Sequence, residues 1–118
     1  MSDELWLKVK RLATSRGIDL TGIAENEDFK QAPPGHRPTD LLSDAKAVIV
    51  MAVRMPRGVA MLIPSHVYLS WYYTANRKLN DVALEVAMLL EREGYVAVPI
   101  PASEPYDLRE ELNLPAVI

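Results

Sequence analysis

The 118-residue chain is 49% hydrophobic and 25% charged with a formal net charge of -3, the composition of one folded domain and not of a disordered segment. Its thirteen basic residues are dispersed among sixteen acidic ones and leave no electrostatic footprint for nucleic acid. Cysteine is absent, which excludes disulfides, thiolate nucleophiles and cysteine-ligated zinc or iron-sulfur clusters held by these residues.

Residues 3–16 predict a helix, because Leu5, Val9, Leu12 and Ala13 recur at near-helical spacing, Ser2 or Asp3 stands ready to cap it, and Gly17 follows at the expected stop. Glu4 and Lys8 are spaced to pair across one turn. Lys8, Lys10, Arg11 and Arg16 read as the solvated face of that helix. The amino terminus, acidic first and then amphipathic, is unlike a secretory signal. Residues 20–24, LTGIA, predict a short strand that returns the chain beside the next one. A connection rich in proline and glycine follows over 25–38, with Phe29 as its apolar anchor.

Thr39 or Asp40 begins a helical turn, after which AKAVIVMAV, residues 45–53, reads as a central strand. Its β-branched and continuous apolar character predicts cover on both faces. The region 58–64 fits either a loop or a helical turn. The clearest signal is a long helix over 65–93 that stops at Gly94. At 100° per residue, Tyr68, Tyr72, Ala75, Leu79, Val82, Ala83, Val86 and Leu90 share one arc, opposite Ser70, Thr74, Arg77, Lys78, Asp81, Glu85 and Arg92. Arg77 and Asp81 are spaced to pair on that polar side. YVAVPI, residues 95–100, then predicts a further strand, so that strand, helix and strand form a crossover between parallel neighbours. Residues 102–118 read as a packed or interface tail with a short helix over 107–112 and an apolar ending, and the whole of 1–118 as a single incomplete α/β domain.

No segment reaches the length and apolarity of a membrane span, since the run over 45–53 contains Lys46 and that over 83–90 contains Glu85. The expectation is a cytoplasmic protein without membrane insertion. His36 and His66 lie far apart and make no metal-ligand cluster by spacing, and the five glycines form neither a dinucleotide fingerprint nor a phosphate loop. Among candidate site residues, Arg54 follows the predicted strand, where open α/β sheets present ligand-binding groups; a surface role that merely ends the apolar run is the alternative. In SHVYLSWYYTANRKLN, residues 65–80, Tyr68 and Tyr72 lie in the core arc, Trp71 on one flank, and Tyr73, Asn76 and Asn80 on the other. A stacking ring beside two amides suits a planar ligand, an interface, or hydrogen bonds to a neighbouring loop. No complete catalytic constellation is present, and the alternative to a cofactor site is a small homo-oligomeric or protein-binding module.

Three stretches in order, GIDLTGIA (17–24), APPGHRPTDLLSDAKAVIVMAVRMP (32–56) and YLSWYYTANRKLNDVALEVAMLLEREGYVAVPIP (68–101), resemble the amino-terminal region of the epoxyqueuosine reductase-like and reductive dehalogenase-like iron-sulfur protein group. That resemblance implies the first part of a nitroreductase-like α/β domain, with a layered sheet and a long packing helix, that contributes to a cobalamin pocket. It implies roles in or beside the pocket for Arg54, Tyr68, Tyr72 and Asn76, matched to recurring positions at the sheet end and along the long helix. It also implies that the family's 4Fe-4S clusters belong to a later, cysteine-bearing region of a longer protein, whose remainder would be this chain's partner. The helix reads YYTANRKLN where the epoxyqueuosine branch more typically has an acid, an aromatic and a histidine, a departure that weighs against queuosine chemistry.

Overall fold

The computed structural model describes residues 1–103. The predicted tail helix over 107–112 and the apolar ending lie outside the described residues. The architecture is mixed α/β, with four α-helices and a two-stranded antiparallel sheet among the described residues.

Helix α1 (Asp3–Ser15) is fixed at both ends by local chemistry. The Ser2 side chain accepts a hydrogen bond from the Leu5 N–H, and Asp3 and Glu4 place negative charge at the positive end of the helix dipole. At the other end Gly17 takes φ +86°, the Gly17 N–H donates to the Thr14 carbonyl, and the Ile18 N–H donates to the Ala13 carbonyl. This Schellman pairing needs a left-handed residue at position 17. It also turns Ile18 inward, where it is buried beside Ala13.

Strand β1 (Leu20–Glu25) pairs antiparallel with β2 (Ala47–Ala52), with Leu20 opposite Ala52 and Glu25 opposite Ala47. The expected adjacency of the first two strands is therefore present. Between them run a 3-10 turn (Asn26–Phe29) and a short helix, α2 (Pro38–Leu41). Phe29 is half-buried, as an anchor should be. The intervening loop is tied by Arg37, whose side chain donates to the carbonyls of Ala32 and Lys30, and by Asp40, whose carboxylate accepts from the N–H groups of Gly35 and Arg37.

Two expectations about the sheet need correction. Among the described residues cover is concentrated on one face of β2: Ile49 and Met51, with Val53 just beyond the strand, pack on the core, whereas Val50 on the other face is 53% exposed. Continuous apolar sequence here reflects a half-covered strand and not one enclosed by two layers. Residues 95–100 form no strand, so the parallel crossover is not formed. The physical reason is that Pro99 within the run and Pro101 just after it each lack a backbone donor. The segment instead passes back along the last helix, with Ala102 and Ser103 hydrogen-bonded to Asn80 and Asn76.

After α3 (Arg57–Ala60), which gives a helical turn to the start of the 58–64 region and leaves 61–64 as loop, the long helix α4 spans His66–Arg92. The Ser65 side chain caps it by accepting from the Tyr68 N–H at 3.2 Å. Gly94, at φ +95°, closes it with the same Schellman pairing as α1: Gly94 N–H to the Glu91 carbonyl and Tyr95 N–H to the Leu90 carbonyl. The core lies where α1 and the carboxyl half of α4 meet the sheet. Val9, Ala13, Ile18, Val82 and Val86 form it, with Trp6, Leu12, Leu79, Leu89 and Leu90 packed around them.

Two ion pairs set how the helices lie. Lys8 Nζ donates to Glu93 at 2.8 Å, and Arg16 Nε donates to both Glu85 oxygens at 3.0 and 3.1 Å. The second pair lies further along α1 and earlier along α4, so the helices run antiparallel. Both pairs are well exposed and contribute register more than stability. The hydrogen bond that Lys8 donates to the Glu93 carboxylate holds the Lys8 ammonium above the usual lysine pKa. Glu4 therefore does not hold Lys8 by itself, and Arg77 and Asp81 do not form the pair their spacing allows.

Candidate functional site

The amino half of α4 carries residues whose side chains are too large or too polar for the close packing of the carboxyl half. Tyr68, Trp71, Tyr72, Ala75, Asn76 and Leu79 occupy positions i, i+3, i+4, i+7, i+8 and i+11 and so form one stripe. That stripe faces the end of β2. Together with Met51, Ala52, Val53, Met55 and Ser103 it lines an open cavity of about 390 Å³. The lining is apolar and aromatic, with the Asn76 amide and Ser103 its polar members.

The aromatic rings are arranged as a run. The Tyr68 ring centroid lies 6.2 Å from those of both Trp71 and Tyr72, with interplanar angles of 35° and 36°. Tyr72 meets Tyr73 edge to face at 5.8 Å and 68°. These separations lie within the range in which aromatic pairs attract. Tyr68, Trp71 and Tyr72 are half-buried, while Tyr73 is 60% exposed.

A second cavity, about 440 Å³, adjoins the first and shares Tyr72, Asn76 and Ser103 with it. Tyr73, Arg77, Asn80 and Ala102 complete its lining. It exists because the chain folds back after α4. The Ala102 N–H donates to Asn80 Oδ1 at 2.8 Å, and the Ser103 hydroxyl donates to Asn76 Oδ1 at 3.3 Å. Ser103 has φ +61°, a left-handed conformation unusual for a residue with a side chain.

Of the six residues singled out from sequence, Tyr68, Tyr72 and Asn76 line the first cavity, and Tyr72, Tyr73, Asn76 and Asn80 line the second. Arg54 lines neither. It follows β2 with its backbone N–H held by the Asp19 carboxylate at 2.7 Å, and its side chain is exposed. The Asp19 N–H donates in turn to the Ala52 carbonyl, so this aspartate clamps the end of the strand that floors the first cavity. Trp71, Arg77 and the Met51–Met55 floor were not selected from sequence. Periodicity places Trp71 at a flank and Arg77 on the polar face, and neither position reveals that β2 or residues 102–103 arrive beside it.

For a flat macrocycle the donor chemistry fits one face. Aromatic and thioether side chains supply polarizable surface, and amides at the rim supply hydrogen bonds to a polar periphery. Neither histidine lines either cavity, and His66, the first residue of α4, is exposed. Among the described residues no group of three or more His, Asp or Glu side chains is placed to hold a metal ion, and no helix is long and apolar enough to cross a membrane. No protein-family model, curated protein or solved structure matches this chain.

Proposed function

We propose that this chain forms one wall of a binding site for a cobalamin-type corrinoid, as the amino-terminal, pocket-forming part of a corrinoid- and iron-sulfur-dependent reductase with a nitroreductase-like layered domain. The observation that carries the reading is the row of Tyr68, Trp71 and Tyr72 facing the Met51–Met55 strand end across an open apolar cavity with an amide at its rim. When bound, the corrinoid supplies a redox-active cobalt, and the protein supplies placement. Tyr68, Trp71 and Tyr72 would cover part of one ring face, and Asn76 and Asn80 would meet its polar edge. These residues exclude water from that face and fix orientation. They make no complete catalytic set, and cluster-bearing cysteines would come from the rest of a longer cytoplasmic protein.

Equilibrium dialysis of the full chain against cyanocobalamin tests this reading. Saturable binding with about one ligand per chain is expected, weakened at least about tenfold by Tyr72→Ala, a loss of ~1.4 kcal/mol. Absence of saturable binding would count against it.

A second reading, a homo-oligomeric or protein-binding module, is favoured by apolar surface elsewhere. Val96 is 72% exposed and Met61 77% exposed, with Leu62, Ile63, Val98 and Ile100 also uncovered. Sedimentation at several concentrations separates the two. A concentration-dependent dimer that binds no cobalamin and dissociates on Val96→Asp would favour the module.

A further inference from the structure

The second cavity is rich in donors. Arg77 is the only charged side chain lining either cavity among the described residues. Its hydrogen bond there is a long one, from Nη2 to Thr74 Oγ1 at 3.4 Å, and no carboxylate among the described residues pairs with it. Lys8 and Arg16, by contrast, both have glutamate partners. The two amides point the same way chemically. Asn80 must present its oxygen to the Ala102 N–H, and Asn76 presents its oxygen to the Ser103 hydroxyl. Each amide thereby spends its acceptor on the returning chain and keeps an NH2 group, which only donates.

Positions 73, 76, 77 and 80 thus gather a phenol, two amide NH2 groups and a guanidinium around a cavity with no carboxylate in its described lining. Such a set suits an anion, and a guanidinium suits a phosphate because its paired N–H groups match two phosphate oxygens. Because the cavities share Tyr72, Asn76 and Ser103, an anion at Arg77 lies beside any ring held in the first. On the corrinoid reading above, we propose that Arg77 makes the second cavity a subsite for the ligand's phosphodiester. The ring occupies the aromatic cavity and its anionic appendage the donor-rich one.

The test compares cyanocobalamin, which carries the phosphodiester, with dicyanocobinamide, which has the ring without it. Both are measured by equilibrium dialysis against the full chain. Cyanocobalamin is expected to bind about tenfold tighter, the scale of one charge-assisted hydrogen bond, with the preference shrinking as salt is raised. Arg77→Gln should weaken cyanocobalamin alone and remove the preference, and Arg77→Lys should restore part of it. Equal affinities for the two ligands, or an Arg77→Gln effect that is the same on both, overturns the subsite while leaving the ring site standing. Failure of both ligands to bind overturns the ring site and the subsite together.

Discussion

The two halves of α4 belong to one continuous helix and do opposite things. In the carboxyl half Val82 and Val86 are buried against α1 and the sheet, Ala87 is buried as well, and Glu85 and Glu93 tie the helices along their edges. In the amino half only Ala75 is buried, and three half-buried aromatic rings face an open cavity. Small and β-branched side chains allow two helices to close on each other and exclude water. Wide rings and amides hold surfaces apart and leave a space to be filled. The carboxyl half is therefore where stability resides, and the amino half is where a ligand has room.

Substitutions should divide along that line. The largest effect is expected from Val82→Asp, which puts a carboxylate at a position 2% exposed. It should cost more than ~3 kcal/mol, enough to abolish cooperative unfolding, while Val82→Ala should cost about 2 kcal/mol by chemical denaturation. Tyr72→Ala should invert the pattern, lowering stability by only about 1 kcal/mol because its ring already faces open space, yet weakening cyanocobalamin at least tenfold. If both substitutions lowered stability equally, the division of α4 would be wrong.

The helix ends give a smaller effect. Gly94→Ala forces a Cβ into the left-handed conformation, and a Cβ there meets no neighbouring atom, so the cost is backbone strain of about 1 kcal/mol. Ser65→Ala removes the cap at the opposite end, also at about 1 kcal/mol. Both are read from the denaturation midpoint at constant slope. The smallest effect is that of pH on the Lys8–Glu93 contact. Because the folded pKa of Lys8 is raised, its stabilisation is complete below the ordinary lysine range and disappears as pH rises through the folded value. A Lys8→Met variant should therefore show less decline in stability at strongly alkaline pH than the unaltered chain.

Helices were legible because their signals are local. The spacing of Leu5, Val9 and Ala13, the capping serines and the two stop glycines all act within a few residues. Strands β1 and β2 and their adjacency were legible, but the sheet's extent and cover were not. Nothing in AKAVIVMAV says that one face stays open, and the alternation in YVAVPI outweighed Pro99 within it and Pro101 just after it. The site was partly legible, since rings and amides at 68–80 stand out in any reading of the helix. Its second cavity was not, because residues 102 and 103 build it by returning to Asn80 and Asn76, a contact that helical periodicity cannot encode.

The chain's two tryptophans fall one on each side of the division, Trp6 against the core, with the Lys10 ammonium 5.4 Å from its ring, and Trp71 in the cavity lining. Their fluorescence in Trp6→Phe and Trp71→Phe variants, titrated with cyanocobalamin, tests the central claim most directly. The account predicts strong saturable quenching when Trp71 is the emitter and only weak quenching when Trp6 is. Equal quenching of both, or linear quenching without saturation, would contradict a ligand site in the amino half of α4.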